Sequence, residues 1–188
     1  MKKRMVVAVV LAVLMAASAY AQTTNFLELV KTGTPHDVRA AVEKGADLNA
    51  RDIAYGSTPL IDAAAYNSNP EVVTILLRAG ADMEARDSAY GCTALMWAAI
   101  FNRNPDVVTT LLKAGADINA RSTSEGMTAL LWTARQGADP AGMIMVLLKA
   151  GADAKVKDKV GKIAFDYARL SYELQGTDAL KQLEEASK

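Results

Sequence analysis

Apolar positions along the chain fall into short helical stripes that recur. Val72, Val73, Ile75, Leu76 and Leu77 form one stripe, and Val107, Val108, Leu111 and Leu112 form its counterpart 35 residues later. Positions three and four apart share one face of an α-helix, so each stripe predicts an amphipathic helix with one side buried. Before each stripe lies an alanine-rich segment, Ala63-Ala64 or Ala98-Ala99, with Ala134 in a third copy. Small side chains there predict a first helix that its neighbours approach closely. Asn67-Ser68-Asn69-Pro70 and Asn102-Arg103-Asn104-Pro105 separate the two helices as turns. The predicted module is helix, turn, helix. Thr24 to Lys31 and Pro35 to Lys44 read as two helices before the first full module, and Thr177 to Ala186 as the last helix.

The punctuation repeats with the stripes. Gly-Ala-Asp begins at Gly45, Gly80, Gly115 and Gly151, spaced 35, 35 and 36, and a second glycine recurs every 35 residues at Gly56, Gly91, Gly126 and Gly161. The latter opens Gly-x-Thr-Pro/Ala-Leu at Gly56 to Leu60, Gly91 to Leu95 and Gly126 to Leu130. Thr58, Thr93 and Thr128 are placed to cap the first helix, and Pro59 suits its first turn. Gly80, Gly115 and Gly151 follow the second helix, where a left-handed residue commonly ends it. These motifs together resemble the ankyrin family, whose unit of about 33 residues carries Thr-Pro-Leu-His-x-Ala.

That resemblance implies an all-α solenoid with β-hairpin fingers at Asn49 to Ser57, Glu84 to Cys92 and Asn119 to Met127. Residues 22–188 divide into five units at about 24–52, 53–87, 88–122, 123–158 and 159–188. Two departures stand out. The central units carry an extra residue in the interhelix turn and another in the finger, and the family's histidine is replaced by Ile61, Met96 or Leu131, which predicts apolar packing. Terminal units of a stack need polar outer faces, and Lys181, Gln182, Glu184 and Glu185 would supply one.

Lys2, Lys3 and Arg4 precede an apolar run from Met5 to Ala17 and the small-residue pattern Ala19-Tyr20-Ala21. This is the layout of a secretory signal, residues 1–21, with cleavage between Ala21 and Gln22. The run is short of the roughly 20 residues that span a bilayer core, so no membrane span is expected after cleavage. Loss of Lys2, Lys3 and Arg4 would leave 18 basic residues against 21 acidic ones, without the basic footprint of a nucleic-acid binder. The lone Cys92 allows no intrachain disulfide, and no Asn-x-Ser/Thr sequon occurs. The expected product is a monomer in the bacterial periplasm or outside the cell.

Candidate chemistry is sparse. His36, the only histidine, has no evident carboxylate or cysteine partner and reads as a surface residue at a helix start. Cys92 is remote from it in sequence, which leaves a free thiol whose one task would be an intermolecular disulfide. Asp47, Asp82, Asp117 and Asp153 are each a repeat apart, too scattered for calcium, and read as turn residues. No glycine pattern suits a phosphate, so neither a cofactor nor an enzymatic activity is expected.

What remains is where repeats differ. Counting from the capping threonine, position five reads Asp62, Trp97, Trp132 and Tyr167; position eight reads Ala65, Ile100, Arg135 and Leu170; position nine reads Tyr66, Phe101, Gln136 and Ser171. The resemblance places positions eight and nine on a concave side with the fingertip residues Tyr55, Tyr90 and Glu125. Tyr55, Tyr66, Tyr90, Trp97, Ile100, Phe101, Glu125, Trp132 and Arg135 are therefore the candidate partner-binding residues. Tyr90, Ile100 and Phe101 are expected at the surface, where apolar groups mark interaction sites. Trp97 and Trp132 leave two readings open, as aromatic anchors or as core beside the alanines. The expected function is non-catalytic binding of another protein; the alternative is a stabilising or assembly factor for an envelope enzyme.

Overall fold

A computed structural model describes residues 22–23 and 25–188. The expected signal segment, with Ala21, lies outside the described residues. Helix α1 covers residues 25–32, followed by α2 (Pro35–Glu43), α3 (Pro59–Tyr66), α4 (Pro70–Arg78), α5 (Ala94–Phe101), α6 (Pro105–Lys113), α7 (Ala129–Gln136), α8 (Pro140–Lys149), α9 (Ala164–Ala168) and α10 (Asp178–Ala186). A 3-10 turn at Tyr172–Leu174, absent from the sequence expectation, separates the last two.

Two rows result. Helices α3, α5, α7 and α9 pack in series as an inner row, and α2, α4, α6, α8 and α10 pack in series as an outer row. Helices α3, α5 and α7 are buried almost all round, and Ala63, Ala64, Ala98 and Ala99 are essentially inaccessible. Outer helices bury one stripe, Val72, Val73 and Leu76 in α4 and Val107, Val108 and Leu111 in α6. Each such side chain contributes about 1.5–3 kcal/mol on leaving water. The positions that replace the family histidine, Ile61, Met96 and Leu131, are buried apolar packing.

Caps account for the helix starts, with one departure. Thr58 and Thr128 accept from the amides of Ile61 and Leu131, each at 3.4 Å. Thr93 stands at the same place, yet its Oγ1 has no partner. Asn69 and Asn104 start α4 and α6 by accepting from the amides of Glu71 and Asp106, both at 3.0 Å. At the far ends Gly80 and Gly115 adopt φ of 96° and 102°, the left-handed turn expected of them. Asp47, Asp82, Asp117 and Asp153 each accept from the amide two residues on, which makes them turn residues.

The fingers are tighter than hairpins with paired strands. A backbone bond closes each, from Asp52 N to Ser57 O, Asp87 N to Cys92 O and Ser122 N to Met127 O, the third finger adding Gly126 N to Ser122 O, and no strand occurs among the described residues. Successive fingers are joined instead to one another. The amides of Ser88 and Ala89 donate to Tyr55 O, that of Ser124 to Tyr90 O and that of Lys159 to Glu125 O. Beneath them runs an arginine ladder: Arg51 donates to Gly56 O and Arg86 O, Arg86 to Gly91 O and Arg121 O, and Arg121 to Lys157 O.

At the opposite end of the inner helices a buried asparagine does the same work. Asn67 Nδ2 donates to Val30 O and Gly33 O, and Asn102 Nδ2 to Ala64 O and Asn67 O. Both ladders supply donors to carbonyls that the irregular turns would otherwise leave unpaired. They hold consecutive units in one register. Lys181, Gln182, Glu184 and Glu185 are exposed on the outer end.

Candidate functional site

The finger-to-finger bonds run through Tyr55 O and Tyr90 O, so the two tyrosine rings project side by side. Their centroids are 6.4 Å apart and stacked. Tyr66 and Phe101, at position nine of α3 and α5, form a second pair at 6.1 Å. Trp97 joins the pairs, 5.7 Å from Tyr55 and 5.3 Å from Phe101. Tyr90 also meets Trp132 edge-on at 6.3 Å. Aromatic contacts at these separations contribute about 0.5–1.5 kcal/mol each beyond area burial, so the rings hold one another in place. Tyr55, Tyr66, Tyr90 and Phe101 remain 44%, 49%, 41% and 43% exposed.

The tryptophans are core. Trp97 and Trp132 are both buried, forming the floor under the exposed rings. Trp97 Nε1 donates to Asp87 Oδ2 at 2.9 Å. Asp87 also accepts from the amides of Ala89, Tyr90 and Cys92, so one carboxylate shapes the finger and pins the indole. Trp132 has Ser122 where Trp97 has Asp87, and its Nε1 has no partner. In the last unit Asp158 accepts from the Tyr167 hydroxyl. Burial and that bond push the Tyr167 phenol up to about 12. Burial also raises the Asp158 carboxyl, but the Tyr167 hydroxyl and backbone donors outweigh it and leave the carboxyl below its ordinary value.

Ile100 corrects the sequence expectation: it is buried, not at the surface. Position eight turns toward the following unit, where Ala138 N donates to Ile100 O, so a large side chain there is covered. Arg135, at the same position one unit on, stays at the rim. It pairs with Glu125 and lies over the Trp132 ring at 5.6 Å and the Tyr167 ring at 5.9 Å. Tyr90, Phe101, Trp132, Glu125 and Arg135 line a cleft of about 370 Å³.

A second cavity, about 390 Å³, opens beside α1 and α3 and is lined by Lys31, Asp52, Tyr55, Asp62, Tyr66 and Trp97 among others. Asp62 is 3% exposed. Its Oδ1 accepts from Ser57 Oγ at 2.7 Å, while Oδ2 has no hydrogen-bond partner and only Lys31 Nζ near it, at 3.6 Å. Burial pushes the Asp62 carboxyl above its ordinary value. Asp52 behaves oppositely: burial raises its carboxyl, but amide bonds from Tyr55 and Ser57 outweigh it and leave the carboxyl lowered.

The remaining candidates lie outside this face. His36 is exposed at the start of α2. Cys92 is buried, and burial with the Asp87 charge pushes its thiol up to about 12, which removes it from disulfide exchange with another molecule in the folded state. Among the described residues no cluster of His, Cys, Asp or Glu is grouped to hold a metal, and no helix is long and apolar enough to cross a membrane. The arginine and asparagine ladders and the Asp52 and Asp87 finger brackets were missed from sequence, although Arg51, Arg86 and Arg121 recur at the 35-residue period.

A family model described as ankyrin repeats, in three copies, matches residues 14–122. No curated protein matches the chain. Repeats of this kind are typically non-catalytic modules that bind other proteins. The matched segment exceeds half of the sequence and ends within the third finger, where the same helix-turn-helix pattern continues through α7 and α8, so this protein belongs to the ankyrin-repeat family.

Proposed function

We propose that this protein binds one partner protein through the face bearing Tyr55, Tyr66, Tyr90 and Phe101, and that it acts after export, in the bacterial periplasm or outside the cell. The observation that carries the reading is a contiguous set of four half-exposed rings on a buried tryptophan floor. Aromatic side chains supply large contact area for little lost rotamer freedom, and protein hot spots are enriched in them. Glu125 and Arg135 form a charged rim on one side, the arrangement in which polar groups fix orientation around an apolar centre. The export part of the reading is supported by Lys2-Lys3-Arg4 and the apolar run that follows.

The test is capture from native envelope extract by the wild type and by a Tyr90→Ala/Phe101→Ala double variant. Both residues are half-exposed, so the double variant keeps its helical circular dichroism. It is expected to lose the captured partner. Equal capture would reject this face. Protein isolated from the envelope or medium should begin at Gln22; an intact Met1 in the membrane fraction would reject cleavage.

A further inference from the structure

The slot at position five is filled by a ring in the units of Trp97, Trp132 and Tyr167, and in the unit of α3 it is not. Asp62 stands there, and a cavity of about 390 Å³ opens beside it, lined by Tyr55, Tyr66 and Trp97 among others. Its walls combine aromatic faces with three carboxylates, Glu28, Asp52 and Asp62, against one cation, Lys31. The decisive atom is Asp62 Oδ2. It belongs to a side chain more than nine-tenths buried that helps line this cavity, the atom itself is shut off from solvent, and no hydrogen bond closes on it.

Lys31 neutralises Asp62 without satisfying it. Its Nζ lies 3.6 Å from Oδ2, beyond the 2.7–3.2 Å or so of an N–H···O bond, and donates instead to the exposed Glu28 at 2.9 Å. A buried acceptor left without a donor is unfavourable unless something supplies one. A guanidinium meets every feature of the place: it is cationic, it donates along two parallel N–H bonds to a carboxylate, and its plane stacks on aromatic faces. Lysine offers only the point charge that Lys31 already provides.

We propose that this cavity is a subsite for an arginine side chain of the partner, paired with Asp62 and flanked by Tyr55, Tyr66 and Trp97, with Lys31 as the resident cation that the arginine displaces. The inference rests on the adjoining aromatic face being the docking side. It makes the recognised segment one that presents an arginine next to apolar residues.

The probe is N-acetyl-L-arginine methylamide, titrated into the ¹⁵N-labelled protein and followed by NMR, with N-acetyl-citrulline methylamide at matched ionic strength as its neutral isostere. Saturable shifts are expected at the Ser57 and Asp62 amides and the Trp97 indole with the arginine probe and not with the citrulline one. Asp62→Asn, which keeps the shape, should weaken the arginine probe at least about tenfold, the size of a hydrogen bond to a charged group. Lys31→Met should tighten it. An equal response to citrulline, undiminished binding by Asp62→Asn, or no saturable shift in both the wild type and Lys31→Met would overturn the subsite. The aromatic-face reading fails separately: the Tyr90→Ala/Phe101→Ala variant would then capture the partner as well as wild type, whatever the arginine probe does.

Discussion

Trp97 and Asp62 hold the same register in neighbouring repeats, 35 residues apart, and their surroundings are built from equivalent parts. Both lie on an inner helix, and each finger begins with a carboxylate, Asp87 in one case and Asp52 in the other. Beside Trp97, Asp87 takes the indole N–H and three finger amides. Around Asp62 the ring is missing, a cavity opens beside the carboxylate and one of its oxygens has no hydrogen bond. Trp132 is the intermediate case: the ring is present but Ser122 does not accept from it. The difference teaches that a single repeat position can be spent on cohesion or left open for a ligand, while the flanking helices stay the same.

The comparison breaks most sharply at Asp87. Asp87→Ala would leave the Trp97 indole and the Cys92 amide buried without acceptors, and the cost is expected at about 3–4 kcal/mol, read from urea unfolding. A loss under about 1 kcal/mol would mean that the bracket does not hold the finger. The converse change sharpens it: Ser122→Asp gives Trp132 the acceptor that Trp97 has and should stabilise by about 1 kcal/mol. A destabilised Ser122→Asp protein would show that desolvating the new charge outweighs the bond.

Asp62→Asn should raise Tm by a few degrees at neutral pH, as expected where a ligand site is kept at the expense of stability. The carboxyl is raised in the folded state above its value of 3.8 in the absence of burial, so the folded form holds the proton more tightly than the unfolded chain. Its unfavourable contribution is therefore absent below the unfolded value, grows as pH rises through the folded one, and is full above it. The Tm gap between Asp62→Asn and wild type should shrink as pH is lowered toward 4; a gap constant with pH would dissociate it from the charge. The smallest effect is at Cys92, which stands where Ser57 does beside Asp62. With its thiol pushed up to about 12, maleimide should modify it at least about a hundredfold more slowly in folded than in urea-unfolded protein. Equal rates would place the thiol in solvent.

Much of this architecture is legible in the sequence. The period, the helix pairs, the glycine-ended second helices and the turn aspartates follow from local spacing. The exposed rings of Tyr55, Tyr66, Tyr90 and Phe101 fall at positions where similar repeats differ. Ile100 was misplaced because position eight looks outward on an isolated helix and is covered only when the next unit arrives. Thr93 has the right residue for a cap, yet the side-chain bond made by Thr58 and Thr128 is absent. Paired strands in the fingers gave way to tight turns, since the finger amides bond to the Asp52 and Asp87 carboxylates or the Ser122 hydroxyl and to the preceding finger.

The chain's own pattern determined the repeat, because helix starts, stops and apolar stripes are set by neighbours a few residues away. It also singled out the aromatic positions and the aspartate that interrupts them. Tertiary structure alone decided which indole found an acceptor, that Cys92 is sealed, and that Asp62 is buried at the wall of a cavity with one oxygen unbonded. Those outcomes depend on groups one repeat away along the chain but a few ångströms away in space, and the burial and hydrogen bonding of a side chain are properties of that second distance.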